Sequence, residues 1–211
     1  MRTLAILPVK RFELAKTRLT EQLAAAQRRQ LAEAMVSDVL DALCSMPGLE
    51  TVVVTNEPAV AALASAAGAI VLADQAESGQ SAAALVGIAH ALRNLYERAL
   101  LVPGDCPALD GATLRVLLDG PTGAPSVTIV PDRHGSGTNA LLLTPPDAIE
   151  PGFGPGSFAR HRRRAGAAGA AWHVERLDPL LFDVDTPEDL SVLRVALAGR
   201  RTRTGALLEE L

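Results

Sequence analysis

Arg98–Leu109 reads RALLVPGDCPAL. A short apolar run enters a Pro103-Gly104 turn, and a single acid, Asp105, is left in the loop beyond it. Short apolar runs bounded by turn formers read as strands buried on both faces, so the fold depends on what flanks this one. Upstream, Thr3–Val9 (TLAILPV), Thr51–Thr55 (TVVVT) and Ala69–Ala73 (AIVLA) are runs of the same kind. Helical stretches separate them: one from near Thr20 to Met46, where Pro47-Gly48 stops it, a second over Pro58–Ala67 and a third over Gln80–Glu97. In the first, Leu31, Met35, Val39 and Leu43 recur every four residues and mark one buried face. This alternation predicts an α/β fold: a mostly parallel central sheet whose right-handed crossovers place helices on both faces.

The second half is less regular. Ser126–Val130 (SVTIV) and Asn139–Leu143 (NALLL) are expected strands around a turn at 132–137. A Gly/Pro-rich loop, 150–156, precedes a short basic helix, Ser157–Arg164, and Trp172–Arg176 offers one more strand. Thr186–Ala198 is a closing helix, with Thr186 as N-cap, Pro187 in the first turn and two acids, Glu188 and Asp189, at the positive end of the dipole. Residues 1–199 are expected to form one domain and 200–211 a flexible tail.

Hydrophobic residues make up 48% of the chain and charged ones 21%, which suits a packed globular protein. Aromatics are 3%, so Ala, Leu and Val must fill the core. A formal net charge of −4 argues against a nucleic-acid binder driven by counterion release. No apolar stretch is long enough to span a bilayer, and the first residues carry no cleavage pattern of small residues, so no membrane partner and a cytoplasmic location are expected. Cys44 and Cys106 are too few for a disulfide framework or a cysteine-rich metal site.

In an open α/β sheet, ligands bind at the carboxyl ends of the strands. Asp105 stands at such an end, and two readings compete: it closes a turn or caps the following helix, or it faces a cation in the crevice. Asp183 and Asp185 lie two apart in LFDVDTP, so on an extended segment both carboxylates project to one side. Like charges that close need a positive partner, and Mg²⁺ shared by Asp105, Asp183 and Asp185 would suit their hard oxygens. For Asp185 the competing reading is a charge at a helix N-terminus.

Lys10, Arg11, Lys16 and Arg18 place four cations in a polar loop over Lys10–Thr20, after the first strand, either as an anion-binding loop or as a solvated basic one. It is not a P-loop, since GxxxxGK[ST] is absent. In PDRHGSGTNAL the glycines allow close backbone approach, with Ser136 and Thr138 as hydroxyl donors. In FGPGSFARHRRR, Gly154, Ser157 at a helix start and the arginines behind it favour an oxyanion. His161, among those arginines, should stay neutral and act through a hydrogen bond rather than as a base.

Taken in order, LPVKRFELAKTRL, VPGDCPAL, PDRHGSGTNALLL, FGPGSFARH and FDVDTPEDL resemble the 2-phospho-L-lactate and phosphoenolpyruvate guanylyltransferases of the coenzyme F420 pathway. The resemblance implies a nucleotidyltransferase fold of the glycosyltransferase-A type and a Mg²⁺-dependent reaction with GTP that releases pyrophosphate. It implies metal binding by Asp105, Asp183 and Asp185, and contact of Thr138, Gly154 and Ser157 with a phosphorylated three-carbon acid. Lys16 and Arg18 then become candidate clamps on the GTP phosphates, beside Lys10, and the Glu77–Ser81 turn with Glu77 and Gly79 a candidate contact to guanine or ribose. Lysines and arginines stand where the wider superfamily has a glycine-rich first loop, so contacts there do not carry over. Phosphoenolpyruvate is the expected acceptor, with 2-phospho-L-lactate and 3-phosphoglycerate as alternatives. A downstream deazaflavin-transferring enzyme is an expected partner, and the chain a monomer or homodimer. A sugar-nucleotide or molybdopterin-type nucleotidyltransferase, or a non-catalytic nucleotide-binding module, are the competing functions.

Overall fold

A computed structural model of the chain describes residues 1–12 and 16–211; the expected Lys10–Thr20 loop therefore lies outside the described residues at 13–15. The strands are β1 (Thr3–Val9), β2 (Leu49–Thr55), β3 (Ile70–Leu72), β4 (Arg98–Leu101), β5 (Ser126–Pro131), β6 (Thr138–Thr144) and β7 (Ala171–Val174). The helices are α1 (Ala25–Cys44), α2 (Pro58–Ala66), α3 (Gln80–Arg93), α4 (Gly111–Leu118), α5 (Ser157–Ala167), α6 (Asp178–Leu181), α7 (Pro187–Ala196) and α8 (Arg203–Glu210).

One sheet, in the order β3-β2-β1-β4-β6-β5-β7, runs through the molecule. β1, β2, β3 and β4 are mutually parallel, β6 is antiparallel to β4 and β5, and β5 and β7 are parallel. The expected α/β architecture is therefore the one present, and the SVTIV and NALLL runs are neighbours paired antiparallel around their turn.

β1 lies at the centre and is buried along its whole length because each face carries helices. Ala5, Leu7 and Val9 pack toward α1, α2 and α4, whereas Leu4 and Ile6 pack toward α3 and α5. That division follows from side chains alternating between the two faces of a strand. A third cluster joins Leu19, Leu31 and Met35 to Leu190, Leu193, Leu197 and Leu208, tying α7 and α8 to α1.

Three expectations are corrected. The first helix starts at Ala25 rather than near Thr20, because Thr17–Leu19 winds into a 3₁₀ turn that buries Leu19 and Leu23 against α7 and α8. α3 stops at Arg93, short of Glu97: Leu95 takes a left-handed conformation (φ 58°), and Tyr96 N–H donates back to the Ala91 carbonyl at 3.0 Å. Residues 200–211 do not form a flexible tail. Arg203–Glu210 is helix α8, whose first N–H groups, on Arg203 and Thr204, each donate at 2.8 Å to the buried Asp38 carboxylate of α1.

Candidate active site

Parallel pairing brings the ends of β1, β2, β3 and β4 to one edge of the sheet. β6 runs the opposite way, with Leu141 opposite Leu101, so its start, Thr138 and Asn139, reaches past the end of β4 at that same edge. Asp105 sits in the loop after β4 and does not cap the next helix. Asp110 does that, its carboxylate accepting from Thr113 N–H at 2.9 Å.

Asp105 faces the ammonium of Lys16: Nζ lies 2.7 Å from its Oδ2 and 3.5 Å from Asp185 Oδ1. Lys16 takes a left-handed backbone (φ 55°), a strained state for a lysine, and its side chain is 7% exposed. Burial opposes its charge, but Asp105, then Asp185 and Asp183, outweigh it and hold the ammonium above its ordinary value. Arg18, largely exposed, reaches Asp185 at 3.8 Å. The candidate phosphate clamps thus lie on the carboxylates proposed to hold a metal.

Asp183 and Asp185 come from the irregular stretch between α6 and α7. Burial, then the charge of Asp105 and of Asp185, raises the Asp183 carboxyl above its ordinary range, while a hydrogen bond from Asn139 opposes the shift. Asn139 Nδ2 donates to Asp183 Oδ1 at 3.1 Å and to the Leu180 carbonyl at 2.7 Å, so β6 holds this acid in place. Asp185 directly precedes the N-cap of α7, and its carboxylate faces Lys16 and Arg18. That helix is capped by Thr186 with Asp189, whose carboxylate also accepts from Asp185 N–H at 2.8 Å and pairs with Arg133.

Two carboxylates, Asp105 and Asp185, pair with one ammonium and a third, Asp183, acts on it through its charge; this excess of negative charge in hard oxygen donors fits a divalent cation such as Mg²⁺. As they stand, Asp105 and Asp185 are turned onto Lys16, and among the described residues no three His, Cys, Asp or Glu side chains are arranged around one ion.

Of the residues expected to meet a nucleotide, Lys10 is exposed just after β1. Glu77, also left-handed (φ 44°), is held by Arg11 Nε and Asn56 Nδ2, each donating to its Oε1 at 2.9 Å. These bonds keep its carboxyl below the ordinary range, Asn56 contributing most. Gly79 (φ 96°) caps α3 in a backbone conformation that favours glycine.

The expected oxyanion segments meet. Thr138, at the start of β6, and Ser157, at the start of α5, are buried 3.2 Å apart through their hydroxyls, and Thr138 Oγ1 lies 3.0 Å from His161 Nδ1. Gly154 (φ 98°) shapes the loop before α5, where a Cβ would meet nothing within 4 Å but would be strained by the backbone. Two of the arginines behind it, Arg160 and Arg164, bind loop carbonyls here. Arg160 donates to the carbonyls of Gly152 and Pro155, and Arg164 to that of Glu150, so they fasten the 150–156 loop to α5. Ser136 is likewise committed, its N–H and hydroxyl both bonding Asp132. Burial, then Arg164 and Arg160, lowers His161 to about 4, so the ring is neutral at neutral pH.

Asn139 and Arg133 had no role in the sequence, and Asp189 only that of an acid at a helix start; their contacts give them the rest. Asn139 does lie within a motif singled out there, but nothing local tells a sheet asparagine that anchors a carboxylate from one that does not.

Residues 3–211 match the family described as "Guanylyl transferase CofC like". A relative from Conexibacter woesei, named phosphoenolpyruvate guanylyltransferase, is 48% identical over 216 residues, covering 100% of this chain and 97% of its own. One from Colwellia psychrerythraea, named 3-phospho-D-glycerate guanylyltransferase, is 36% identical over 92% of this chain and 91% of its own. A crystal structure from Desulfovibrio desulfuricans G20, described as a nucleotide-diphospho-sugar transferase, superimposes with a TM-score of 0.79 at 21% identity, covering 99% of this chain and 94% of that one. The fold is the nucleotidyltransferase fold.

Proposed function

The chain belongs to the family of CofC-like guanylyl transferases, and from that premise we propose that it transfers GMP from GTP to the phosphate of phosphoenolpyruvate, releasing pyrophosphate, as a step of coenzyme F420 biosynthesis. The observation that carries this reading is the end-to-end match to the 48% identical relative of that name. The relative named for 3-phospho-D-glycerate makes that acid the second candidate acceptor, and 2-phospho-L-lactate, a close analogue in size and charge, is the third.

The acceptor's phosphate oxygen is a nucleophile at neutral pH without a general base, so the protein has to align two anionic substrates and neutralise their charge. Mg²⁺ held by Asp105, Asp183 and Asp185 would supply countercharge at the nucleotide phosphates and the leaving pyrophosphate. Asn139 and Asp189 keep Asp183 and the Asp185 backbone in position. Lys16 and Arg18 turn their cations from these carboxylates to the triphosphate, assisted by Lys10. Glu77 and Gly79 border the base and ribose, and Thr138, Gly154 and Ser157 receive the three-carbon acid.

Pyrophosphate release with GTP, Mg²⁺ and each acid in turn tests the reading. Phosphoenolpyruvate is expected to give the highest kcat/KM, and chelation of the metal to stop turnover until Mg²⁺ is restored. No turnover with any of the three acids would refute the acceptor class, and full turnover without a divalent cation would refute the metal assignment.

A further inference from the structure

The hydrogen bonds around His161 fix which way protons point at the Thr138–Ser157 pair. The Gly152 amide, which can only donate, lies 2.9 Å from His161 Nε2. Nε2 must therefore present its lone pair, and the neutral ring carries its proton on Nδ1. Nδ1–H in turn donates to Thr138 Oγ1 at 3.0 Å. The two hydroxyls hold two protons between them, and the Ser157–Thr138 bond at 3.2 Å uses one. Because the imidazole gives a proton to the pair instead of taking one, the second hydroxyl proton stays uncommitted. With the opposite tautomer, Nδ1 would accept that proton and the pair would have none to offer.

We infer that His161 is a positioning residue that makes the Thr138–Ser157 pair a net hydrogen-bond donor to an oxyanion of the acceptor acid. The inference rests on the proposed placement of that acid at Thr138 and Ser157. The ring is suited to the task. It is fully buried, its edge meets Phe153 with the ring centroids 5.4 Å apart, and Gly152 belongs to the loop that Arg160 and Arg164 fasten to α5. The loop therefore selects the tautomer, and the tautomer sets the polarity of the hydroxyl pair.

Side-chain ¹H–¹⁵N correlation spectra of the intact protein should show His161 as a single neutral species protonated at Nδ1. A signal from the Nε2-protonated form, or from the doubly protonated ring at neutral pH, would overturn the inference without any variant. Kinetics give the second measurement. His161→Gln can still accept from Gly152 N–H through its amide oxygen at the place of the imidazole Nε2 but has no donor at the place of Nδ1. It should raise KM for the acceptor acid by about 10-fold or more, the scale of one hydrogen bond to a charged group, and leave KM for GTP in place. Thr138→Val should do the same, and the double variant should be no worse than Thr138→Val alone. If Thr138→Val leaves the acceptor KM unchanged, the placement of the acid fails. If it raises that KM while His161→Gln does not, or if the two effects add fully, the role given to His161 fails and the placement stands.

Discussion

Asp105 lies 2.7 Å from a lysine that is almost buried, and that contact governs what its replacement does. Asp105→Asn keeps an oxygen toward Lys16 but removes a charge. Its expected cost is about 10³-fold in kcat/KM, the scale of losing an electrostatic group at a reacting centre, with the thermal midpoint close to that of the parent. An unchanged rate would remove Asp105 from the chemistry. His161 has a consequence for stability. Its folded value, about 4, is below the ordinary 6.5, so as pH falls the unfolded chain takes up the proton first. The stability it contributes is complete above about pH 6.5 and is lost as pH falls toward and through 4. Melting curves over that range should show a steeper decline for the parent than for His161→Gln, and parallel declines would contradict the burial argument. The three aspartates were legible as isolated acids near strand ends. Lys16 as the partner of Asp105 and Asp185 was not, because it lies 89 positions from Asp105 in the chain and local charge patterning does not pair residues at that distance.

The elements owe their placement to a few close contacts. Gly87 of α3 lies over β1 so tightly that an added Cβ would stand 2.4 Å from Ile6 Cγ2, a methyl on the branched carbon of a fully buried side chain. Gly87→Ala is therefore expected to destabilise the protein by about 1–3 kcal/mol, as overpacking does, measured by urea unfolding. Combining it with Ile6→Leu, which lacks the branch methyl, should restore part of the loss, and full additivity of the two costs would contradict the contact. Helix and strand identities were legible here because period four and unbroken apolar runs are local signals. The ends of α1 and α3 were not. The first is set by burial of Leu19 and Leu23 against helices more than 150 residues downstream, the second by a left-handed leucine that no turn-forming composition announces.

At the scale of the whole molecule, α8 closes the fold onto α1. Leu208 is 2% exposed, and the Asp38 carboxylate caps α8 from within α1. Removing residues 200–211 should cost on the order of 3 kcal/mol or more, from one buried leucine and two charge-assisted hydrogen bonds. Asp38→Ala alone should cost about 1 kcal/mol, as the loss of a helix cap does. A truncated chain as stable as the parent would show that α8 contributes nothing to the fold. The α/β class, the order of the central elements and the five motifs that resemble the guanylyltransferases can be read from the amino acids alone, since each is written in composition and period over a few neighbouring residues. It took the folded arrangement to show that Lys16 pairs with Asp105 and Asp185, that Asn139 anchors Asp183, that Arg160 and Arg164 fasten the 150–156 loop, and that the last twelve residues are packed. Each of these depends on groups distant in the chain meeting at bonding distance, where burial strengthens the charges and hydrogen bonds that water would otherwise screen.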